Sequence, residues 1–285
     1  MTEDRGERRA RAQLLRPDLA EGRFATGRTE PPADLAPLVD DGWWVTWSLP
    51  EPHVQAVVPR PVVHVALEDA GGRPRLLVHG VRTTGFERRL EGTGATVALA
   101  FRPAGFAPVL GADVARLRDR ETPAADVLGV DDVPVAARAA ALAGAGDPAA
   151  GVEVLAQWLR GLAPEPDPVT DELAALVERV ETDRSLRRVE QLAGLAGVTV
   201  RTLQRRFTTH VGVGPKWVLR RFRLLDVAAA AHGGEPVDWA GLAADLGFAD
   251  QSHLVREFTG LTGRSPAAYV RDLGGRAGSS PGGNG

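Results

Sequence analysis

The chain of 285 residues has no cysteine. That excludes disulfides, zinc–cysteine sites, a cysteine nucleophile and a cysteine alkyl acceptor. It has a single lysine, Lys216, so its positive charge is almost entirely arginine. No apolar run approaches the ~18 residues that a membrane-crossing helix needs. Arg5, Arg8, Arg9 and Arg11 are not followed by the apolar stretch of a secretory signal. The expectation is a cytoplasmic protein with no membrane partner. No phosphate loop, Ser-His-Asp order or paired-carboxylate spacing stands out, so neither an enzyme nor a cofactor is expected. His53, His64, His79 and Glu68 lack a His-x-His core, so no metal is expected either.

What is present is a repeat. The first copy reads Leu192-Ala193, Gly197, Leu203, Phe207, Gly212 and Pro215. The second reads Leu242-Ala243, Gly247, Leu254, Phe258, Gly263 and Pro266, offset by 50 residues at its start and 51 from the leucine onward. Two short helices joined at a glycine, with apolar residues on their inner faces, describe a helix-turn-helix. Two copies suit one long, regular ligand, and duplex DNA is the candidate. Charge agrees. Residues 184–225 carry nine Arg and one Lys against Glu190, whereas residues 1–183 are net −9 and residues 226–285 net −3. A basic segment attracts phosphate and an acidic half repels it.

Residues 1–30 have little apolar periodicity and read as a disordered tail. Leu35, Leu38 and Val39 suggest a short turn. From Trp43 the chain turns to strands: 43–49, 54–58, 62–67, 76–81 and 95–101, with Gly71-Gly72 as a hairpin turn. Such spacing suggests a small barrel or sandwich with the size of a sensor domain. Val109-Leu110, Val114 and Leu117 fit one helix, 133–142 a second, and Val152, Leu155, Leu159 and Leu162 a third. The Pro-rich stretch 164–168 marks the boundary between a sensor or dimerisation domain, 31–163, and a DNA-binding domain, 169–273. A Gly- and Ser-rich tail, 274–285, reads as disordered. The fold class expected is α+β: a small β-barrel or sandwich with helices, then an all-α domain with two helix-turn-helix motifs.

In the C-terminal half Leu173, Leu176, Val177 and Val180 form the inner stripe of a first helix, and 187–195 a second. Thr199 and Asp250 are placed to cap the helices that follow the two turns. Pro215 opens a long helix with an expected core stripe of Val218, Phe222, Leu225 and Ala229, ending at His232-Gly233-Gly234.

The run from Leu242 to Leu254, with Phe258, Gly263-Arg264-Ser265-Pro266 and Tyr269, closely resembles the signature of AraC/XylS-type transcription regulators. The aromatic usual at the position of Leu254 is replaced by leucine. The resemblance covers residues 170–272 and implies seven helices carrying two helix-turn-helix motifs. The N-terminal part resembles a domain found on many actinobacterial members, with Arg102-Pro103-Ala104-Gly105-Phe106 following a strand. By resemblance, Arg201, Thr202, Gln204 and Arg205 face bases from the first reading helix. Gln251, Ser252, His253 and Arg256 do so from the second. Arginine forks onto guanine and glutamine onto adenine. Thr199, Arg206, Lys216, Arg220 and Arg221 are the candidate phosphate contacts. Trp43, Trp44, Trp47 and His64 are candidates for a ligand pocket, against plain packing.

The function this implies is a sequence-specific regulator binding double-stranded promoter DNA. RNA polymerase, a small-molecule effector and a homodimer are the further partners expected. The alternatives are a ligand-binding or catalytic barrel with a degenerate helical appendage, and an architectural DNA binder without a ligand.

Overall fold

A computed structural model describes residues 24–57, 59–165, 167–232 and 237–274. Its N-terminal part is built on six strands: β1 (Phe24–Thr29), β2 (Val39–Val57), β3 (His64–Ala70), β4 (Pro74–His79), β5 (Phe86–Phe101) and β6 (Glu121–Pro123). They form one antiparallel sheet in the order β1-β2-β5-β3-β4-β6. The chain is α+β as expected. The β layer is a single sheet with β1 and β6 at its ends, and helices cover one of its faces.

Several boundaries differ from the sequence reading. β1 lies inside the span read as a disordered tail. Its Gly27 and Thr29 pair with Trp44 and Gly42, and this ladder compensates for its poor apolar pattern. Residues 1–23 and 275–285 of the two expected tails lie outside the described residues. The expected strands 43–49 and 54–58 are one strand, bent by an irregularity between Leu49 and His53. β5 starts nine residues before the expected Ala95: Phe86 to Leu90 carries three consecutive charges, Glu87, Arg88 and Arg89, which hid it as a strand, and it pairs with the far half of β2. Gly71-Gly72 does turn between β3 and β4, both with positive φ.

After β5 come α1 (Ala107–Leu110), a 3-10 turn (Val114–Leu117), α2 (Ala124–Leu128), α3 (Val133–Gly144) and α4 (Pro148–Gly161). The single helix expected over 109–117 is broken. Gly111 takes a left-handed conformation, and Asp113 caps a new turn by accepting from the Ala115 amide. Asp147 caps α4 in the same manner through the Ala150 amide. α4 lies against the sheet face carrying Val65, Leu67, Val97 and Leu99, and Gly151 approaches the Val97 methyls.

The C-terminal part has seven helices among the described residues: α5 (Pro168–Thr182), α6 (Val189–Leu195), α7 (Val200–Arg206), α8 (Pro215–His232), α9 (Trp239–Asp245), α10 (Gln251–Thr262) and α11 (Pro266–Gly274). α7 runs on as a π turn, Phe207–Val211. Leu173, Leu176, Val177 and Val180 are all buried on α5. Along α8 the expected stripe holds only at its start. Val218, Leu219 and Phe222 join the core of the first motif, whereas Leu224, Val227, Ala228 and Ala231 join that of the second. Leu225 packs against both, and Ala229 is exposed. The buried face rotates because the helix serves two cores in succession.

The first motif shares a core with the sheet. One continuous apolar cluster runs from Val65 and Phe101 through Leu155 and Leu173 to Leu203, Phe207, Val211 and Val213. The second motif has its own cluster, centred on Val227, Leu254 and Phe258.

Candidate nucleic-acid interface

Each motif is assembled in the same way. α6 ends at a turn in which Gly197 has φ +63°, and α9 at one in which Gly247 has φ +72°. These left-handed positions suit glycine, since a Cβ there meets the following carbonyl. Thr199 caps α7 by accepting from the Thr202 amide at 3.2 Å. Asp250 caps α10 by accepting from the His253 amide at 2.6 Å. Leu203 and Phe207, and Leu254 and Phe258, are fully buried. Burial of these four residues fixes which side of each helix faces out.

On the first reading helix Arg201, Gln204 and Arg205 are exposed, spaced i, i+3 and i+4 on one face. On the second, Gln251, Ser252 and Arg256 are exposed. The 51-residue offset places Arg201 over Ser252 and Arg205 over Arg256. Arg201, Arg205 and Arg256 have no ion pair among the described residues. Thr202 is half-buried and shares its hydroxyl with that of Thr199 at 3.0 Å. His253 is turned to structural use: Nδ1 accepts from the Ala249 amide at 3.3 Å, and the ring stands edge-on to Phe248. Its Nε2 is 3.8 Å from Glu257.

The phosphate candidates divide. Lys216 is exposed at the start of α8, with no ion pair among the described residues. Thr199 is exposed, with its hydroxyl engaged in the cap. Arg206 is drawn onto α5, where one nitrogen reaches both Glu172 oxygens at 2.8 Å. Arg220 pairs with Glu257 of α10. Arg221 is 3% exposed, so phosphate cannot reach it. It lies over the Trp217 ring and donates to the Thr83 carbonyl at 2.7 Å. Burial lowers its pKa from the ordinary arginine value to about 10.

Much of the basic segment is therefore engaged within the protein, although Arg184, Arg187 and Arg220 stay exposed. Arg184 bonds Asp226, Arg187 bonds the Asp245 carbonyl, and Arg223 bonds the Arg187 carbonyl. The exposed cations outside these contacts are Arg188, Arg201, Arg205 and Lys216. Arg188, beside the start of α6, was not singled out from the sequence, since nothing separates it there from its arginine neighbours.

The four expected pocket residues are not brought together. Register puts Trp43 and Trp47 on one face of the sheet and Trp44 on the other, where it packs against the main core. Trp47 belongs to a small cluster with Leu49 and Leu90. Trp43 and His64 do meet: the indole N–H donates to His64 Nδ1 at 3.2 Å. Burial, then the neighbouring His79, Arg60 and Arg28, press the His64 pKa down to about 3, against the pull of Asp40. A neutral ring is what an accepting Nδ1 requires. A cavity of about 80 Å³ lies on the opposite, helix-covered side, lined by Thr29, Gly42, Leu99 and Val152 among others. That is well below the ~300 Å³ at which small-molecule pockets begin.

On the Trp43 face lies an ionic cluster. Glu68 pairs with Arg88, with His79 at 3.1 Å and with Arg75 at 3.6 Å. Glu121 pairs with Arg82, and the His79 contact chiefly holds its carboxyl down at about 2. The same two segments touch the helical C-terminal half. Next to Arg82, the Thr83 carbonyl accepts from Arg221 of α8. Asp119 accepts from both the amide and the hydroxyl of Thr83 at 2.7 Å. Next to Asp119, Arg118 Nε donates to the Gly212 carbonyl at 2.8 Å, where the first reading helix ends. Sequence reasoning missed this joint because its residues lie far apart in the chain and all but Arg221 fall outside the long helices and strands.

Comparison with known proteins places two segments. Residues 192–272 match the model of a helix-turn-helix domain family, and residues 27–123 a domain family of unknown function. The second span ends where β6 ends. No curated protein matches the sequence. Among solved structures, ToxT from Vibrio cholerae O395 aligns over 90% of this chain and 100% of its own, at 12% identity and a TM-score of 0.39. Another crystal form of ToxT from Vibrio cholerae aligns over 87% and 98%, at 10% and 0.39. Unsaturated fatty acid bound ToxT from strain SCE256 aligns over 90% and 97%, at 10% and 0.36. Likeness at that level carries no inference about this chain.

Proposed function

We propose that this chain is a one-component transcription regulator of the AraC type that reads promoter DNA with two helices, since residues 192–272 match a helix-turn-helix domain family. The observation that carries the reading is the pair α7 and α10. Both are capped, both are anchored by a Leu and a Phe four apart, and both present unpaired arginine with glutamine on the outer face. Arg205 and Arg256 are the forked donors for guanine, and Gln204 and Gln251 the amides for adenine. Arg201 and Ser252 stand one turn earlier. Lys216 contacts backbone phosphate, and Arg188 joins it. Thr202 and His253 support the helix starts, and Thr199 serves as cap.

The two heads are proposed to enter successive major grooves, ~34 Å apart on one DNA face. The N-terminal domain is proposed to govern the first head through the joint at residues 82–83 and 118–119. An effector or a second copy of the chain that disturbs the ionic cluster around Glu68, His79 and Glu121 reaches that joint through Arg82 and Glu121. Recruitment of RNA polymerase and action in the cytoplasm belong to the same proposal.

The experiment is electrophoretic binding of the full chain to selected DNA, with Arg205→Ala and Arg256→Ala compared at each base of the site. Each variant is expected to relax preference in a different half of the site. Loss of preference in neither half would remove both residues from base readout.

A further inference from the structure

We propose that Arg187 is a positioning residue that fixes the second reading helix relative to the first, and thereby the spacing of the two half-sites. The proposal rests on the two-headed reading above. Arg187 lies in the loop between α5 and α6, outside both reading helices. The loop is fastened to α8 at two points. Arg184 makes two bonds to Asp226 at 3.0 and 2.6 Å, and Arg223 donates to the Arg187 carbonyl at 2.6 Å. The Gln191 side chain accepts from the amides of both Arg187 and Arg188 at 2.9 Å. From this anchored backbone the Arg187 guanidinium crosses to the second motif and donates to the Asp245 carbonyl at the end of α9. Its stem lies against the turn: a Cβ on Gly247 would stand 2.9 Å from Arg187 Cδ.

The bond therefore joins the two motifs directly, in parallel with the linker helix. The second motif grips α8 through one apolar face, Leu224, Val227, Ala228 and Ala231. Apolar contact is non-directional and leaves rotation about the helix weakly specified. A guanidinium bonded to a carbonyl at a helix end is directional and resists that rotation. The Arg220–Glu257 pair ties the same helix to α10 one turn before Leu224. Rotation of α10 about α8 changes the distance and angle between the two heads, which DNA reads as spacer length.

Arg187 is also exposed, so an ordinary phosphate contact is the competing role. Spacer length separates the two. The test uses the full chain, wild type and Arg187→Met, on duplexes that keep both selected half-motifs and vary the spacer by one and two base pairs. Methionine keeps an unbranched stem against Gly247 and removes the donors. The ratio of affinities for the preferred spacer over its neighbours is expected to fall about fivefold, the worth of one net hydrogen bond. Half-motif preference and salt dependence stay as in wild type, and Arg187→Lys recovers part of the ratio. Arg184→Ala, which unfastens the loop without touching the second motif, is expected to broaden spacing in the same sense should Arg187→Met fold poorly. An unchanged ratio, or uniform weakening with a salt slope lower by about one, would overturn the proposal. A wild-type chain that selects only one half-motif would overturn the two-headed reading itself.

Discussion

Arg205 leaves the first reading helix with its guanidinium unpaired and exposed, while Arg206 beside it is bound to Glu172. Arg205→Ala is expected to cost about 1–3 kcal/mol of specific binding and to relax one base position. Arg206→Ala is expected to leave sequence preference intact and to cost less than about 1 kcal/mol of stability, because its ion pair is partly solvated. Competition binding against single-base variants, with thermal melts of each protein, separates the two. Sequence alone cannot make this division. The basic run 184–225 does mark the DNA-binding half, but Arg184, Arg187, Arg206, Arg220, Arg221 and Arg223 hold the fold together. Charge is local information, whereas the carboxylates and carbonyls that take up those charges come from distant elements.

His64 gives a second prediction at the same scale. Its folded pKa, about 3, lies below the ordinary value of 6.5. Between those values the unfolded chain takes up a proton that the folded chain refuses, so stability is lost as pH falls from about 6.5 towards 3. One such proton contributes at most about 1.4 kcal/mol per pH unit. His64→Gln keeps an acceptor for Trp43 and does not titrate. Its melting temperature is expected to fall less steeply than wild type between pH 6.5 and 4.5, above the range where Glu121 contributes. Parallel curves would remove His64 from the acid response.

The elements of the two motifs follow local rules, and this is why the sequence revealed them. A cap residue, a buried Leu and Phe four apart and a glycine turn recur at fixed spacing, and Thr199, Leu203, Phe207 and Gly197 all stand in the expected roles. Thr199→Ala is expected to cost about 1 kcal/mol of stability. Gly247→Ala forces a side chain into a left-handed turn already pressed by Arg187, and is expected to cost at least about 1–2 kcal/mol. Denaturant melts of the full chain check both, and a cost near zero for Gly247→Ala would mean that the turn relaxes. Where elements are set by pairing instead of periodicity, the sequence misled. β1 and the charged half of β5 exist because β2 lies beside them. Trp43, Trp44 and Trp47 read as one aromatic group, but the two-residue period of a strand sends Trp44 to the other face.

Over the whole molecule, the linker 164–168 does not separate two independent bodies. The cluster that holds Leu203, Phe207, Val211 and Val213 continues into the sheet and its helices. Arg118 and Thr83 add polar contacts across the same boundary. A fragment beginning at residue 165 therefore exposes core surface that the full chain covers, and is expected to melt at a lower temperature. Equal melting temperatures would make the shared core energetically idle. A shared core also gives the N-terminal domain a physical hold on the first reading helix.

The central claim is that this chain reads DNA with two heads, and selection of bound sequences from random duplexes tests it most directly. The full chain should be used, with binding repeated across salt concentrations. A two-part motif, its halves about one helical turn apart, with affinity falling steeply as salt rises, is the predicted result. A folded chain that enriches no sequence would contradict the account.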